Sequence, residues 1–445
     1  MTMERRTFLK LCAALGVGLS APAFPVLAGV RKRRDTPLHE TARNCIFINM
    51  LGGPSHVDTF DFKPGTWTPD TFGGTTLPNG AAWPDGIMPR LAQLSDRFSL
   101  IRSMYAGERN HQRAQYLIET ANPFNPASLL RAEIPPMGSL VSHEFAGSRT
   151  ADDVLPTFFS INHRSRGTGM LAREHGSYFV SKQLSLDSLA HPHGDQIFDR
   201  RLTALFEMDP LKRRSDDPVG LNHLWESGAK LMSDERVVDT FTIDSATLER
   251  YGGDSYGSNI AFSLALAYQL LASEAGARFI HVGYSDWDHH FGVYNNLSLL
   301  LPRFDQALAA LIHDLAATPG KSVGKTMLDE TVIVAIGEFG RTPGALNSLE
   351  GRDHFSDAFA ALIAGGGVRG GRVIGETNAL GSEIVDPGWQ AGRPVSFSDV
   401  AATIYSAMGI DYRGSIDDTP SGRRYLYVAR EAWAGFPEPI EELFA

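Results

Sequence analysis

Five runs of consecutive apolar residues punctuate the chain, and each gives way abruptly to glycine or to polar residues: CIFINML at 45–51, FSLIRSM at 98–104, RFIHVGY at 278–284, TVIVAIG at 331–337 and FAALIAG at 359–365. Short runs with little polar alternation mark strands buried on both faces of a sheet. LPTFFSI at 155–161 is a further strand candidate. Between the runs the period changes. Leu297, Leu300, Leu301, Phe304, Leu308, Leu311, Ile312 and Leu315 fall at helical spacing, and SNIAFSLALAYQLLASEAG at 258–276 predicts an apolar helix ending at Gly276. Helices are also predicted over 87–94, over 128–145 with a break at Pro135-Pro136, and over 395–410, capped by Ser398 and closed by Gly409. Residues 196–250 read as helices with charged faces, a possible helical cap. Alternating strand and helix predicts an α/β fold with a central, mostly parallel sheet flanked by helices.

Polar residues cluster directly after the strands. In parallel sheets, ligands bind beyond the carboxyl ends of the strands. After 45–51 comes GGPSHVDTFD, with His56 and Asp58. After 278–284 comes DWDHH, with Asp286, Asp288 and His290. After 331–336 come EFGRTP, with Glu338 and Arg341, and GRDHF, with His354. Carboxylates and imidazoles together suit a divalent metal such as zinc, manganese, iron or calcium. His56, Asp58, Asp286, Asp288, His290, Glu338 and His354 are the candidate metal ligands. Asp286 and Asp288 both have workable spacing to His290, so the partition between them stays open. His111 falls in the first turn of a helix predicted to open at Glu108 or Asn110, where free N–H groups and the helix dipole favour an anion. It is the candidate acid/base or nucleophile, with Arg109 and Arg341 as anion-holding candidates. Arg173 and His175, in the loop-rich stretch 162–195, read as solvated.

The remaining features bound the setting. ERRTFLK at 4–10 reads as a twin-arginine leader, with an apolar run from Leu11 to Leu19 and small residues at Val26-Leu27-Ala28 for cleavage. Residues 1–28 are then a signal peptide, 29–43 a linker, and 44–445 the folded domain. The apolar run is too short and too glycine-broken for a stable membrane anchor. The expected location is the periplasm or the exterior, reached through the twin-arginine translocase. The formal net charge is −10, and more negative still without the leader, which argues against nucleic acid as a partner. With Cys12 in the leader, Cys45 has no partner for an internal disulfide.

The order strand-GGPSHVDTFD, WDHH, GEFGRTP, GRDHF and GGVRGGRVIG resembles a bacterial exported family catalogued as domain of unknown function 1501. That family in turn resembles the alkaline phosphatase and sulfatase superfamily. VSFSDVAATIYSAMGI is similar to the sulfatase tail helix, TVIVAIGEFGR to the strand carrying an Asp-His-Gly metal motif, and HQRAQYLIETA to the helix after the nucleophile. The resemblance implies an alkaline phosphatase-like three-layer sandwich. It also implies a first ligand pair of Asp288 (or Asp286) with His290, Glu338 at a metal-Asp position, Phe339 in place of a metal His, and His354 as the late metal His. Two positions depart from the pattern: Gly52 or Gly53 stands where a metal Asp is expected, and Arg109, Asn110 and His111 stand where a Ser, Thr or Cys nucleophile is expected. The implied activity is an exported, metal-dependent hydrolase of phosphate or sulfate esters using metal-activated water. Its substrate would be a small anionic ester or a sulfated or phosphorylated glycan. The alternative is a non-hydrolytic binding or assembly protein on the same scaffold, with a structural metal or none.

Overall fold

A computed structural model describes residues 36–125, 129–181, 234–253 and 259–444, with scattered positions between 200 and 231. The leader, most of the linker and much of 196–233 lie outside the described residues. The apolar runs become β1 (Asn44–Met50), β2 (Phe98–Met104), β3 (Phe158–Ile161), β4 (Tyr178–Val180), β5 (Phe279–Tyr284), β6 (Thr331–Ile336), β7 (Phe359–Ala364) and β8 (Val373–Ile374). They form one sheet in the order β8-β2-β7-β6-β1-β5-β3-β4. Every neighbouring pair is parallel except those made by β7, which runs antiparallel to both β2 and β6.

Register decides where the site forms. Met50 of β1 lies opposite Tyr284 of β5, and Asn49 lies opposite Ile336 of β6, so three central strands end level with one another. The reversed β7 brings its first residue, Phe359, beside Met104 at the end of β2. His354 precedes β7 rather than following a parallel strand. It reaches the carboxyl edge because β7 is antiparallel.

Strand alternation separates two cores. Ile46, Ile48 and Met50 pack with Leu264 and Leu270 of α3 (Asn259–Ala272) and with Leu297, Leu301, Phe304 and Leu308 of α4 (Val293–Ala317). Cys45 and Phe47 point the other way. They join Leu117 of α1 (His111–Thr120), Leu140 of α2 (Met137–Phe145) and Ile404 of α5 (Phe397–Ala407). Helix, sheet and helix make the expected three layers.

The predicted break at Pro135-Pro136 is present, while the first part of that helix and the cap of the last helix differ from expectation. The stretch from 128 resolves into a 3-10 turn at Leu129–Glu133 and then α2, which opens at Met137 after Pro136. Proline has no N–H to donate and blocks the preceding turn, so the pair divides the segment. Helix α5 is capped by Ser396 rather than Ser398: the Ser396 side chain accepts from Asp399 N, and the Asp399 carboxylate accepts from Ser396 N. Serine followed three residues later by an acidic residue resembles a capping box, and that register outcompetes the serine two positions on.

Ser398 has another use. Its backbone N–H donates to the Glu431 carboxylate at 3.1 Å, fastening the C-terminal segment to the start of α5. Glu431 is buried, and burial pushes its carboxyl up to about 7, against the hydrogen bonds from Ser398. The folded state therefore holds this proton more tightly than the unfolded chain does. That stabilisation is fully present below the ordinary glutamate range and is lost as pH rises through about 7. Urea unfolding at about pH 5 and pH 8 should show wild type losing on the order of 2–3 kcal/mol relative to Glu431→Gln over that interval. Parallel pH profiles for the two proteins would contradict this.

Candidate metal centre

The loop after β1 begins with Gly52 at φ +116° and Gly53 at φ +79°. A Cβ on Gly52 would lie 2.4 Å from the backbone N of Asp288, so the absent side chain is what lets the loop after β5 pass. The freed backbone is used on both sides. Gly52 N donates to Glu338 Oε1 at 2.9 Å, and the carbonyls of Gly52 and Gly53 accept from the Arg341 guanidinium. Arg341 is fully buried, and in a two-residue antiparallel ladder it pairs with His354. Arg341 Nη2 then reaches Asp288 Oδ1 at 2.5 Å. The glycine pair, Arg341 and Glu338 thus form a frame that fixes Asp288.

Three imidazoles close around that carboxylate, and each has one ring nitrogen already committed. His111 Nδ1 donates to Glu338 Oε1 at 2.6 Å, His290 Nδ1 to Asp353 Oδ1 at 2.8 Å, and His354 Nδ1 to the Arg109 carbonyl at 2.8 Å. In a neutral ring the other nitrogen then carries a lone pair. Those Nε2 atoms face one another and the carboxylate. His290 Nε2 is 3.0 Å from His354 Nε2, and the two lie 3.1 and 3.5 Å from Asp288 Oδ1. His111 Nε2 is 3.4 Å from Asp288 Oδ2 and, although buried, has no hydrogen-bond partner. Ligand atoms of His111, Asp288 and His354 all lie within 4.8 Å of each other. Acceptors pointed at acceptors need a cation between them, either an added proton or a metal ion. Three imidazole nitrogens and one carboxylate, with a carboxylate or carbonyl behind each ring, fit a divalent cation of the zinc type.

The model of the family described as Protein of unknown function (DUF1501) matches residues 42–426. The chain belongs to that family. No curated protein matches it significantly. Among solved structures, it is similar to a protein in the alkaline phosphatase superfamily from Vibrio parahaemolyticus, at 13% identity over 92% of this chain and 76% of that one, with a TM-score of 0.40. A phosphonate monoester hydrolase from Silicibacter pomeroyi matches at 14% identity over 83% and 73%, with a TM-score of 0.38. Alkaline phosphatase from the Antarctic bacterium TAB5 matches at 14% identity over 83% and 99%, with a TM-score of 0.34.

Charges within this DUF1501 site are strongly coupled. Hydrogen bonding to Glu338 raises the pKa of His111 despite partial burial, and burial with the nearby Arg341 charge lowers that of His354. Burial pushes the Asp288 carboxyl up, but the Arg341 hydrogen bond and charge, with His111 and His290, outweigh it and hold the carboxyl below its usual range. Asp288 also presents the open face, with 48% of its side chain exposed.

The other sequence candidates sit elsewhere in the same frame. Glu338 stands behind His111 rather than beside Asp288, with Oε2 buried and unpartnered. Asp58 is bound by Arg352 Nε at 2.7 Å, Ser55 Oγ at 2.5 Å and the Tyr294 hydroxyl at 2.7 Å. His56 stacks on Phe355 and bonds the Gly381 carbonyl through Nε2 at 2.8 Å. Asp286, at φ +76°, is exposed and accepts from Ser285. The Arg109 guanidinium turns to Ser356 and Asp357, at 3.0 and 3.5 Å, while its carbonyl serves His354. Asp353, which orients His290, escaped the sequence reading. Its signal was its place directly before His354 in GRDHF. Two clefts, of about 200 and 550 Å³, share no residue with this cluster. Among the described residues no helix is long and apolar enough to cross a membrane.

Proposed function

We propose that this protein is an exported, metal-dependent hydrolase of phosphate or sulfate esters, centred on His111, Asp288, His290 and His354. The convergence of three imidazole Nε2 atoms on the Asp288 carboxylate carries the reading. A divalent cation there would supply Lewis-acid polarisation of the ester and make water nucleophilic near neutral pH. The chain's own groups do the rest. Glu338 and Asp353 fix the orientation of the His111 and His290 rings. Arg341 holds Asp288 in place from the buried side. Arg109, more than half exposed beside the cluster, would meet an anionic substrate oxygen. Glu338 keeps the Nδ1 proton of His111, which leaves its Nε2 for the cation. One observation favours a second reading: the entry to α1 holds Arg109, Asn110 and His111 rather than a hydroxyl or thiol, as a metal-holding binding protein would tolerate.

Protein purified in metal-defined medium should contain about one equivalent of a divalent metal. It should release phosphate or sulfate from simple esters, and lose that activity on chelation. Bound metal without turnover on either ester class supports the binding protein. No bound metal removes both metal-based readings.

A further inference from the structure

Beside the metal cluster the chain displays an aromatic surface that none of the groups above accounts for. Trp433 is 38% exposed and meets Tyr105 edge-on, with centroids 4.6 Å apart. It lies against the backbone of Gly107, where a Cβ would come within 3.1 Å of the indole Nε1. The backbone ties the Tyr105 segment to the stretch that carries Asp357, since Ala106 N donates to the Ser356 carbonyl at 2.9 Å. Arg109 in turn accepts the His354 ring on its carbonyl. A path therefore runs outward from the cluster: from His354 to the Arg109 carbonyl, along the backbone to Gly107, and from Gly107 to Trp433 and Tyr105.

The aromatic segment is held, not loose. Glu431 fixes it to the start of α5, and Ala434 N and Gly435 N both donate to the Glu431 carbonyl, closing a turn around Trp433. The surface pairs a flat apolar face with a half-exposed guanidinium and carboxylate. A group with C–H bonds on its flat face and hydroxyls around its edge satisfies both. A hydrocarbon tail would cover Arg109 and Asp357 without offering either a hydrogen bond.

We infer that Trp433 and Tyr105, with Arg109 and Asp357 at the rim, form the leaving-group subsite of the ester site, and that it takes a hexose ring of a sulfated or phosphorylated glycan. This rests on the hydrolase reading above. The test compares a hexose monophosphate and monosulfate with methyl phosphate and methyl sulfate, by ester cleavage and by isothermal titration of the metal-loaded protein. Trp433→Ala should reduce the ratio of kcat/KM for the hexose ester to that for the methyl ester about tenfold, mostly through KM, and weaken hexose-ester binding similarly. Trp433→Tyr, which keeps a flat ring, should restore most of both. An unchanged ratio and unchanged binding in Trp433→Ala overturn the subsite, as does an equal loss on octyl phosphate, which would mark an apolar leaving group. If wild type holds metal but cleaves no ester, the hydrolase reading fails separately. The titration then still decides the sugar site: a hexose ester bound by wild type and lost in Trp433→Ala upholds it, and no binding by wild type overturns it.

Discussion

His354→Ala should leave a folded protein that no longer retains stoichiometric divalent metal and whose melting temperature no longer responds to chelator. His354 is the ring that touches most of the cluster, with Nε2 3.0 Å from His290 Nε2 and 3.5 Å from Asp288 Oδ1. A ligand that binds only the folded state at about a thousand times its Kd stabilises it by about 4 kcal/mol. Wild type should therefore drop measurably in melting temperature when metal is removed, and His354→Ala should start near the stripped value. Its activity should fall by several orders of magnitude, because the lost group takes the cation with it. Metal analysis, thermal unfolding with and without chelator, and ester hydrolysis are the measurements. A His354→Ala protein that keeps one metal equivalent and a chelator-sensitive melting temperature would show that the cluster is not the binding site.

The elements that carry this cluster were the most legible part of the sequence. Central strands such as 331–336 are buried on both faces, so they read as unbroken apolar runs, and the polar residues after them stand out by contrast. Direction was less visible. His354 reaches the edge because β7 is reversed, and nothing in FAALIAG distinguishes a parallel from an antiparallel strand. Outer partners were harder still. Glu338 looks in sequence like a ligand; its Oε1 accepts from His111 Nδ1 and Gly52 N, while its Oε2 is buried without a partner. A carboxylate meeting a ring N–H and one meeting a metal ion leave the same letter in the chain. Ser398 shows the limit at single-residue scale, since two serines two positions apart both suit a cap and only Asp399 decides between them.

Asp58 extends that lesson into the second large effect. Its carboxylate sits in a loop after a central strand, beside a histidine, as a metal ligand would. Its cation is instead Arg352, from a segment 294 residues away. Both side chains are fully buried, so the pair is sensitive to losing either member. Arg352→Met should cost about 3–5 kcal/mol of stability, because Asp58 keeps only Ser55 and Tyr294 and must either stay charged in the interior or take up a proton. Asp58→Asn strands the guanidinium in the same way. The double variant should lose clearly less than the sum of the two, since neither buried charge is left without its partner. Arg352 also donates to the Thr342 and Gly344 carbonyls at 2.7 and 2.8 Å, closing the base of the loop that delivers Asp353 and His354. Loosening that base should lower metal affinity by about 10–100-fold, the range seen when groups orienting metal ligands are removed. Urea unfolding of the two single variants and the double, with metal titration of Arg352→Met, checks both effects. Additive losses in the double variant would show that the pair acts as two independent contacts rather than one buried ion pair.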